Sequence, residues 1–384
     1  MSRSPDVAVV GGGVVGTAIA LRLAHDGRSV VLLERGDVGR EASWAAGGIL
    51  TPVHLAEYPK PLAGLCAASA ALYPGLVDAL RELSSVDVEF RRTGFLILVK
   101  DEATAHAARE LEAFKRANGQ PVETLTADEV AALQPGLGGA LRGGLFLPDI
   151  AQVRNNRLAL ALAEAAQKRG VEIRRNTAVT GFLRIPGRVT GVKTSQGDLL
   201  AGTVVLAAGS WSGEILKPLG LTLPVKPVKG QILLTQAAPG LVRTIIEDGE
   251  TYLVPRIDGR VLIGATMEDV GFDKTVTLDA VGGLASRAAA ILPALAKLPL
   301  VTSWAGLRPS TPDRLPYIGP TSMEGLVAAT GHFRNGILLA PITAELVADL
   351  LAGRPPSLDL APFDPLRAVA PSEGPNPAAP LREG

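Results

Sequence analysis

The chain has 384 residues, long enough for about two domains that each bury a core of their own. Its 38 Lys and Arg residues balance 38 Asp and Glu residues, which argues against a nucleic-acid or anionic-membrane partner and favours a small-molecule ligand. The single cysteine, Cys66, excludes an internal disulfide framework, and the four dispersed histidines form no recognisable zinc motif, so we expect a cytoplasmic protein without a metal.

The most apolar early segment, residues 7–24, lacks the pattern of a membrane span or a signal peptide. Four glycines fall within it, and Arg22 interrupts it before the roughly 20 apolar residues that a span requires. A signal peptide needs a basic start before its apolar core, and Arg3 alone is a weak one. No other apolar run is long enough to cross a bilayer, so we expect a soluble protein with no membrane span.

The first element is a β-branched run over residues 6–10, apolar on both faces as in a central parallel strand. It leads into GGGVVG, which fits G-x-G-x-x-G at Gly11, Gly13 and Gly16. Gly11 permits a tight turn, Gly13 lets backbone N–H groups approach a pyrophosphate, and Gly16 lets helix and strand pack closely. The helical period that follows puts Val14 and Val15 at a helix N-terminus, where N–H groups favour anions.

A second strand, residues 28–33, leads to Glu34 and Arg35. Glu34 stands 18 positions after Gly16, where a carboxylate accepts hydrogen bonds from a ribose diol. A glycine-rich turn with a surface glutamate is the plain alternative, but strand, turn, helix, strand and acid in this order favour a dinucleotide site.

The fingerprint alone does not separate FAD from NAD. Two later glycine-containing segments bear on the choice: residues 39–48, expected to be a loop without helix or strand, and residues 203–211, a buried strand that ends in a glycine turn. A nicotinamide enzyme has no evident need for such distant contacts, whereas a larger ligand does. The absence of a second fingerprint in the sequence indicates one dinucleotide site.

Hydrophobic period and turn residues predict the remaining elements. Helices are expected over residues 62–83, 104–118 and 337–351, and strands over 94–100, 171–179, 231–236, 251–257, 260–265 and 326–330. Asp258-Gly259 between two of these strands signals a hairpin, hence an antiparallel sheet distinct from the parallel one. The tail after residue 352, rich in proline and glycine, is expected to be loosely ordered.

Four segments together carry a resemblance: the fingerprint, GREASWAAGG, TVVLAAGSWS and GHFRNGILLAP. From about residue 5 to about residue 355 the chain resembles the FAD-dependent amine oxidases of the D-amino-acid oxidase superfamily, and among them the glycine oxidases of thiamine biosynthesis. The resemblance implies an α/β plus α+β fold. A Rossmann-like FAD-binding domain (1–83, 150–220 and 310–355) would be interleaved with a smaller antiparallel-sheet substrate domain (84–149 and 221–309), before a proline-rich tail (356–384).

The same resemblance implies noncovalent FAD and further contacts to it. Besides the fingerprint, Glu34 and Arg35, these are Ser43, Ala46, Gly47, Gly48, Val179, Ala208, Gly209, Trp211, His332, Arg334, Asn335, Gly336 and Ile337. The last three would start a helix that faces the flavin's pyrimidine edge, where reduction leaves negative charge.

For the substrate, the resemblance implies that Arg308 binds a carboxylate, that the Tyr252 hydroxyl lies beside it, and that Arg334 contacts substrate or flavin. An arginine among apolar residues suits this role because its planar fork binds carboxylate bidentately, although a structural ion pair is the commoner fate of an arginine. Core packing is the alternative for Tyr252. Ile49, Glu250 and Met267 are expected in the pocket wall, Glu250 because it stands two positions before Tyr252 and would share its strand face.

The implied reaction is the oxidation of glycine, or of sarcosine or a D-amino acid, to an imine and then glyoxylate, while O₂ becomes H₂O₂. Thiazole synthase is an implied partner and a homotetramer an implied assembly. Two alternatives stay open: a dehydrogenase of D-amino acids, proline or 2-hydroxy acids that passes electrons to a quinone or other carrier, and a non-catalytic FAD-bound partner of an assembly.

Overall fold

The computed structural model describes residues 4–51, 59–236 and 239–367. Numbered along the chain, the strands are β1 (Val7–Val10), β2 (Val30–Leu33), β3 (Arg91–Arg92), β4 (Phe95–Val99), β5 (Glu123–Thr126), β6 (Gly143–Leu147), β7 (Ala151–Gln152), β8 (Glu172–Arg174), β9 (Val179–Ile185), β10 (Arg188–Thr194), β11 (Gly197–Leu200), β12 (Thr203–Leu206), β13 (Lys226–Thr235), β14 (Ile245–Asp248), β15 (Thr251–Pro255), β16 (Val261–Gly264), β17 (Leu300–Ser310), β18 (Tyr317–Pro320) and β19 (Leu326–Thr330). The helices are α1 (Val14–His25), α2 (Ala42–Ala45), α3 (Lys60–Leu83), α4 (Glu102–Ala117), α5 (Ala127–Leu133), α6 (Asn155–Lys168), α7 (Ser212–Leu216), α8 (Leu278–Ile291) and α9 (Gly336–Ala352).

A six-stranded sheet in the order β18-β19-β12-β1-β2-β8 carries the fingerprint. Its strands run parallel except β18, which pairs antiparallel with β19 at one edge. Val7 and Val9 of β1 face helices α1, α3, α6 and α9, while Ala8 and Val10 face the small sheet β11-β10-β9. Because both faces are covered, β1 is apolar throughout, as the sequence predicts.

The second large sheet has the order β17-β13-β16-β15-β14-β4-β6-β5. Its pairs are antiparallel except β14 with β4, and the hairpin predicted at Asp258-Gly259 joins β15 to β16. One face packs on α8, and the other carries Ile232, Tyr252 and Trp304. The α/β plus α+β fold class is therefore confirmed. All strands of this sheet come from residues 95–147 and 226–310; the domain boundaries proposed from the sequence stay a prediction.

Two of the predicted elements differ in the structure. The strand predicted over 171–179 is broken: β8 joins the six-stranded sheet, β9 begins at Val179 in the small sheet, and Asn176 between them has φ +52°. Residues 39–48, expected to be irregular, contain the single turn of α2, whose Trp44 packs edge-on against Trp304 with 5.2 Å between ring centroids.

The start of the tail is also more ordered than predicted. Phe363 is 2% exposed within the main core, and the Arg367 guanidinium lies 2.7 Å from an Asp313 carboxylate oxygen and over the Tyr317 ring. Phe363 and the Arg367–Asp313 ion pair hold this segment, although its sequence shows little hydrophobic periodicity. Residues 368–384 of the predicted tail lie outside the described residues.

Helix α3 is long and apolar enough to cross a membrane, judged by length and composition alone. In the structure one side of it packs on α9: the Ser69 hydroxyl donates to the Leu338 carbonyl, and the Tyr73 hydroxyl donates to the Ile337 carbonyl. Leu62 and Leu65 on the same side are almost completely buried. The apolar side of α3 is thus part of the protein core.

Gly16→Ala is predicted to destabilise the protein, whereas Gly64→Ala in α3 is predicted to stabilise it. A Cβ at Gly16 would lie 2.0 Å from the Gly11 carbonyl oxygen, so α1 must move from β1, at a cost of about 1–3 kcal/mol. At Gly64 a Cβ would meet nothing within 4 Å, and alanine in a helix interior adds roughly 0.5–1 kcal/mol. Urea unfolding followed by circular dichroism measures both; equal effects would contradict the close packing at Gly16.

Candidate functional site

A cavity of about 490 Å³ extends from the β1–α1 turn to the second large sheet. Gly11 and Glu34 line one end, and Ile232, Tyr252 and Arg308 line the other. The first end lies at the carboxyl ends of parallel strands, which is where open α/β sheets bind ligands. A volume of this size is in the range of cofactor and ligand sites.

The turn at the first end admits only glycine at its start. Gly11 has φ +109°, and a Cβ there would lie 2.5 Å from the Ala207 carbonyl oxygen. Gly13 then precedes α1, whose first turn has no acidic residue and no side-chain cap. The Val14 N–H donates to the Ser43 hydroxyl at 2.9 Å. With Val15 also in the wall, this helix start offers backbone donors to a phosphate.

Glu34 is held in place at the end of β2. Its two carboxylate oxygens accept from the Gly12 N–H at 2.8 Å and the Gly36 N–H at 2.9 Å. The side chain is 9% exposed and lines the cavity. This is the placement that a ribose diol needs, since a carboxylate has further lone pairs to offer.

Next to it, Arg35 and Trp211 close one side of the cavity. The Arg35 guanidinium lies 3.6 Å from the Trp211 ring centroid and bonds the Glu41 carboxylate at 2.5 Å. Trp211 also packs on Phe272, with 5.5 Å between ring centroids. Val179, Ala208 and Gly209, predicted as cofactor contacts, line the same part of the cavity.

The segment after α2 lines the middle of the cavity with Ala46, Gly47, Gly48 and Ile49. Gly48 has φ +75°, and a Cβ there would lie 2.1 Å from the Val153 carbonyl oxygen. A Cβ at Gly47 would come within 3.3 Å of the Tyr252 ring. A side chain is therefore excluded at Gly48 and would be crowded at Gly47, where the chain passes between the two sheets.

At the far end, Arg308 and Tyr252 project from the second sheet into the wall. The Arg308 guanidinium donates to the carbonyls of Thr266 at 3.0 Å and Lys229 at 3.3 Å. It covers Gly230, where a Cβ would lie 2.1–2.3 Å from guanidinium atoms. Tyr252 is 8% exposed and covers Gly264 in the same way. Two glycines thus make room for the two predicted substrate side chains.

The start of α9 contributes His332, Arg334, Gly336 and Ile337 to the cavity. The first turn of α9 has no acidic residue and no side-chain cap, so its N–H groups give this end a positive potential. His332 is 4% exposed and its Nε2 lies 3.0 Å from the Thr343 hydroxyl. Burial lowers the pKa of His332 to about 3, so the imidazole is neutral at pH 7.

Four predicted site residues are not among the described residues that line the cavity. Gly16 packs against Gly11 behind the cavity wall. Asn335 is the N-cap residue of α9 and is buried at the start of that helix. Met267 packs against the main core. Glu250 is exposed in the turn between β14 and β15, so its predicted sharing of a face with Tyr252 was wrong: the strand begins only at Thr251.

Some contributors were missed by the sequence analysis. Gly230 lies inside β13 between Lys229 and Gln231, and a glycine inside a strand can mark close approach of another group. Arg256 stands just after β15, four residues beyond Tyr252, and donates to the Gly47 carbonyl, but alternation alone gives no sign of that contact. Thr177, Gly306 and Thr330 also line the cavity. No cluster able to hold a metal ion occurs within the described ranges.

The fold and the cavity define a dinucleotide-dependent oxidoreductase with one elongated site. The backbone cradle at Gly11 and Gly13 fits a pyrophosphate, the glycine segment at residues 47–48 leaves room for a flat ring, and the uncapped start of α9 suits the negative edge of a reduced flavin.

Comparison with known proteins gives the family. The FAD dependent oxidoreductase family matches residues 6–350, and the chain belongs to it; its cofactor is FAD. A glycine oxidase of Pseudomonas aeruginosa is 44% identical over 94% of this chain and 99% of its own. The crystal structure of glycine oxidase from Geobacillus kaustophilus superposes with a TM-score of 0.91 at 38% identity, covering 95% of this chain and 99% of that one. The bifunctional protein ThiO/ThiG of Synechocystis is 36% identical over 98% of this chain, which spans 56% of it.

His332 makes stability fall in acid. The pKa of His332 is about 3 in the folded protein and about 6.5 in the unfolded chain. Between these two pH values the unfolded chain binds a proton that the folded protein does not bind. Stability from this source is complete above pH 6.5 and is lost as the pH falls towards 3. Between pH 7 and pH 5 we expect a loss of about 2 kcal/mol, which His332→Gln removes. Urea unfolding at both pH values measures it; equal pH dependence in both proteins would refute the assignment.

Proposed function

We propose that the protein is a FAD-dependent oxidase of glycine and other small amines such as sarcosine or D-amino acids. The overall reaction converts glycine, O₂ and water into glyoxylate, ammonia and H₂O₂. The observation that carries the proposal is the Arg308 guanidinium seated over Gly230 in the cavity wall, on the side where Tyr252 also faces the site. The identity with known glycine oxidases supports the same substrate class.

Arg308 and Tyr252 bind and orient the substrate. A substrate carboxylate that binds against a mostly apolar wall needs a charged partner. The planar guanidinium of Arg308, held by two carbonyls, is pre-organised to bind that carboxylate. Tyr252 adds a hydroxyl donor from a strand whose packing leaves the ring little freedom. Binding by these two side chains fixes the position of the substrate α-carbon, and this positioning accounts for a large share of the rate acceleration.

FAD, when bound, would supply the two-electron acceptor for oxidation of the substrate. The chain's own contribution is electrostatic: the start of α9, with Arg334 in the wall, favours the negative charge that develops there. With that acceptor bound, a substrate whose amine is neutral would lose its α-hydrogen with two electrons, and the nitrogen lone pair would form the C=N bond of a protonated imine. Water then hydrolyses the imine to glyoxylate and ammonia. His332 is neutral and bonded to Thr343, and this sequence of events gives it no proton to transfer.

The cofactor is proposed to be held without a covalent bond. Cys66, the single cysteine, is buried in α3 and is not in the wall of the cavity, and burial raises the pKa of its thiol to about 12. A thiol of that pKa is a poor nucleophile at neutral pH. Acid precipitation should therefore release all the flavin into the supernatant; flavin retained in the pellet would contradict this.

We also propose that the protein works with a thiazole synthase, as the name of the fused Synechocystis relative suggests. We propose a homotetrameric assembly as well. The proposed location is the cytoplasm, with α3 packed in the core. If the imine passes between the two enzymes, added synthase should lower the glyoxylate released per H₂O₂ formed. Sedimentation measures the assembly, and cell fractionation the location.

The first experiment is H₂O₂ release by the purified yellow protein with glycine, with sarcosine, D-proline and 2-hydroxyglutarate alongside. Stoichiometric peroxide and glyoxylate from glycine are expected. Anaerobic bleaching of the flavin by a substrate without peroxide in air would instead identify a dehydrogenase that passes electrons to a quinone or other carrier. A flavin that none of these compounds bleaches would identify a non-catalytic partner.

Arg308→Ala is predicted to lower kcat/KM for glycine about 100-fold, mainly through KM, because a charge-assisted pair to the carboxylate is lost. The kcat/KM of Arg308→Lys should lie between those of the wild type and Arg308→Ala, since lysine keeps the charge but lacks the two-pronged guanidinium. FAD content, read from the visible spectrum, should not change in either. Arg184→Ala, at an exposed arginine of β9, is the matched control. An unchanged KM in Arg308→Ala would remove the carboxylate role.

A further inference from the structure

Arg256 is a buried cation that neither the cofactor nor the substrate explains directly. It stands immediately after β15, four residues beyond Tyr252, and is 8% exposed. Although it follows a strand of the second sheet, its guanidinium donates to four oxygens of the chain around the cofactor side: the carbonyls of Gly47 at 2.9 Å and Val153 at 3.1 Å, Gln152 Oε1 at 3.3 Å and Asn155 Oδ1 at 3.4 Å.

These bonds brace the segment that lines the middle of the cavity. The Gly48 carbonyl accepts from the Val153 N–H at 2.9 Å, so Arg256 and Val153 hold two successive carbonyls of the segment. Asn155, itself bonded to Arg256, donates to the carbonyls of Ser43 at 2.8 Å and Trp44 at 2.7 Å. The segment has no side chain at residues 47 and 48 to anchor it, and its orientation depends on these main-chain bonds.

The bond to the Gly47 carbonyl orients a donor on the opposite side. The peptide between Gly47 and Gly48 is trans, so the Gly48 N–H points away from the carbonyl that Arg256 binds. Within the described residues this N–H has no hydrogen-bond partner, although Gly48 is buried and lines the cavity. A buried N–H that is left unpaired costs free energy, and a ligand acceptor in the cavity removes that cost.

The hydrogen-bond partners of Arg256 are all neutral. Asp258 and Glu89 act on it at longer range but are bonded to Arg154, at 2.8 Å and 3.4 Å. Burial lowers the pKa of Arg256 to about 10, so the guanidinium stays charged at pH 7. A buried charge without a contacting carboxylate costs free energy, so we ask what its hydrogen bonds do for the site.

We propose that Arg256 is a positioning residue that fixes the Gly47–Gly48 peptide so that the Gly48 N–H is presented to the ring of the bound flavin. The inference rests on FAD in this cavity and not on the identity of the substrate. A fixed donor at the ring stabilises the electron-rich reduced form more than the oxidised form. Loss of the donor therefore lowers the reduction potential of the flavin and changes its visible spectrum.

The test compares Arg256→Met, Arg256→Lys and the matched control Arg154→Met, which removes the neighbouring cation without touching the segment. All are studied as FAD-loaded protein by absorption spectroscopy and by redox titration against a reference dye. For Arg256→Met and Arg256→Lys we expect a shifted flavin spectrum and at least a tenfold shift towards the oxidised form, about 30 mV for a two-electron couple. Arg154→Met should match the wild type in both.

Arg256→Lys separates position from charge, because lysine keeps the cation but cannot hold the fork of carbonyls. A wild-type potential in Arg256→Lys would show that charge alone matters and would overturn the positioning role. An unchanged spectrum and potential in Arg256→Met would overturn it as well. If Arg256→Met does not fold, the lysine variant decides. Neither readout needs glycine turnover, so failure here is distinguishable from failure of the proposed substrate.

Discussion

Backbone packed directly against backbone at the β1–α1 turn is the constraint on which the rest of the molecule depends. A Cβ at Gly16 or Gly11 would overlap the neighbouring main chain, so α1 can start this close to the strand ends only with glycine at both positions. That closeness places the start of α1, whose first N–H groups have no partner within the helix, at the crevice beside β12, where strand order changes direction. A pyrophosphate bound at this helix start would take its position from the turn, as would the direction of the whole cofactor.

The two ends of the cavity use different chemistry for a physical reason. Near the fingerprint, the binding groups are mainly backbone donors and one carboxylate held by two N–H groups, which suits a ligand with phosphates and a ribose. At the second sheet the proposed binding groups are the side chains of Arg308 and Tyr252, each of which covers a glycine. Antiparallel strands can present individual side chains to one face, whereas the parallel sheet is covered on both faces by other elements.

Electrostatics at the site is local and does not follow from net charge. Lys plus Arg equals Asp plus Glu over the whole chain, yet Arg308, Arg334 and two helix starts without acidic residues converge on one cavity. Burial at the same time removes charge from His332, whose lowered pKa leaves a neutral ring beside the start of α9. These parts of the cavity are therefore suited to anionic groups, although Glu34, Glu41 and Glu214 line it too and the chain as a whole is balanced in charge.

Local chemistry allowed the sequence by itself to determine the dinucleotide turn, the acid at Glu34, the parallel strands around them and the hairpin at Asp258-Gly259. Each of these depends on residues close together in the chain, as the positive φ at Gly11 illustrates. The predicted roles of Arg308 and Tyr252 came from family resemblance and not from periodicity, and they stay predictions.

Only the tertiary structure decided which residues of the second sheet meet the cavity. Gly230 matters because Arg308, on the neighbouring strand, lies over it, and Arg256 matters because it reaches across to Gly47. Glu250 failed as a pocket residue because β15 starts one position later, and a strand's start and register set which side chains face inward. The pairing that lays Arg308 over Gly230 joins β13 to β17, which are far apart in the chain, so no local pattern contains it. β15 pairs with its chain neighbours β14 and β16, but the residue at which it begins is not set by alternation alone.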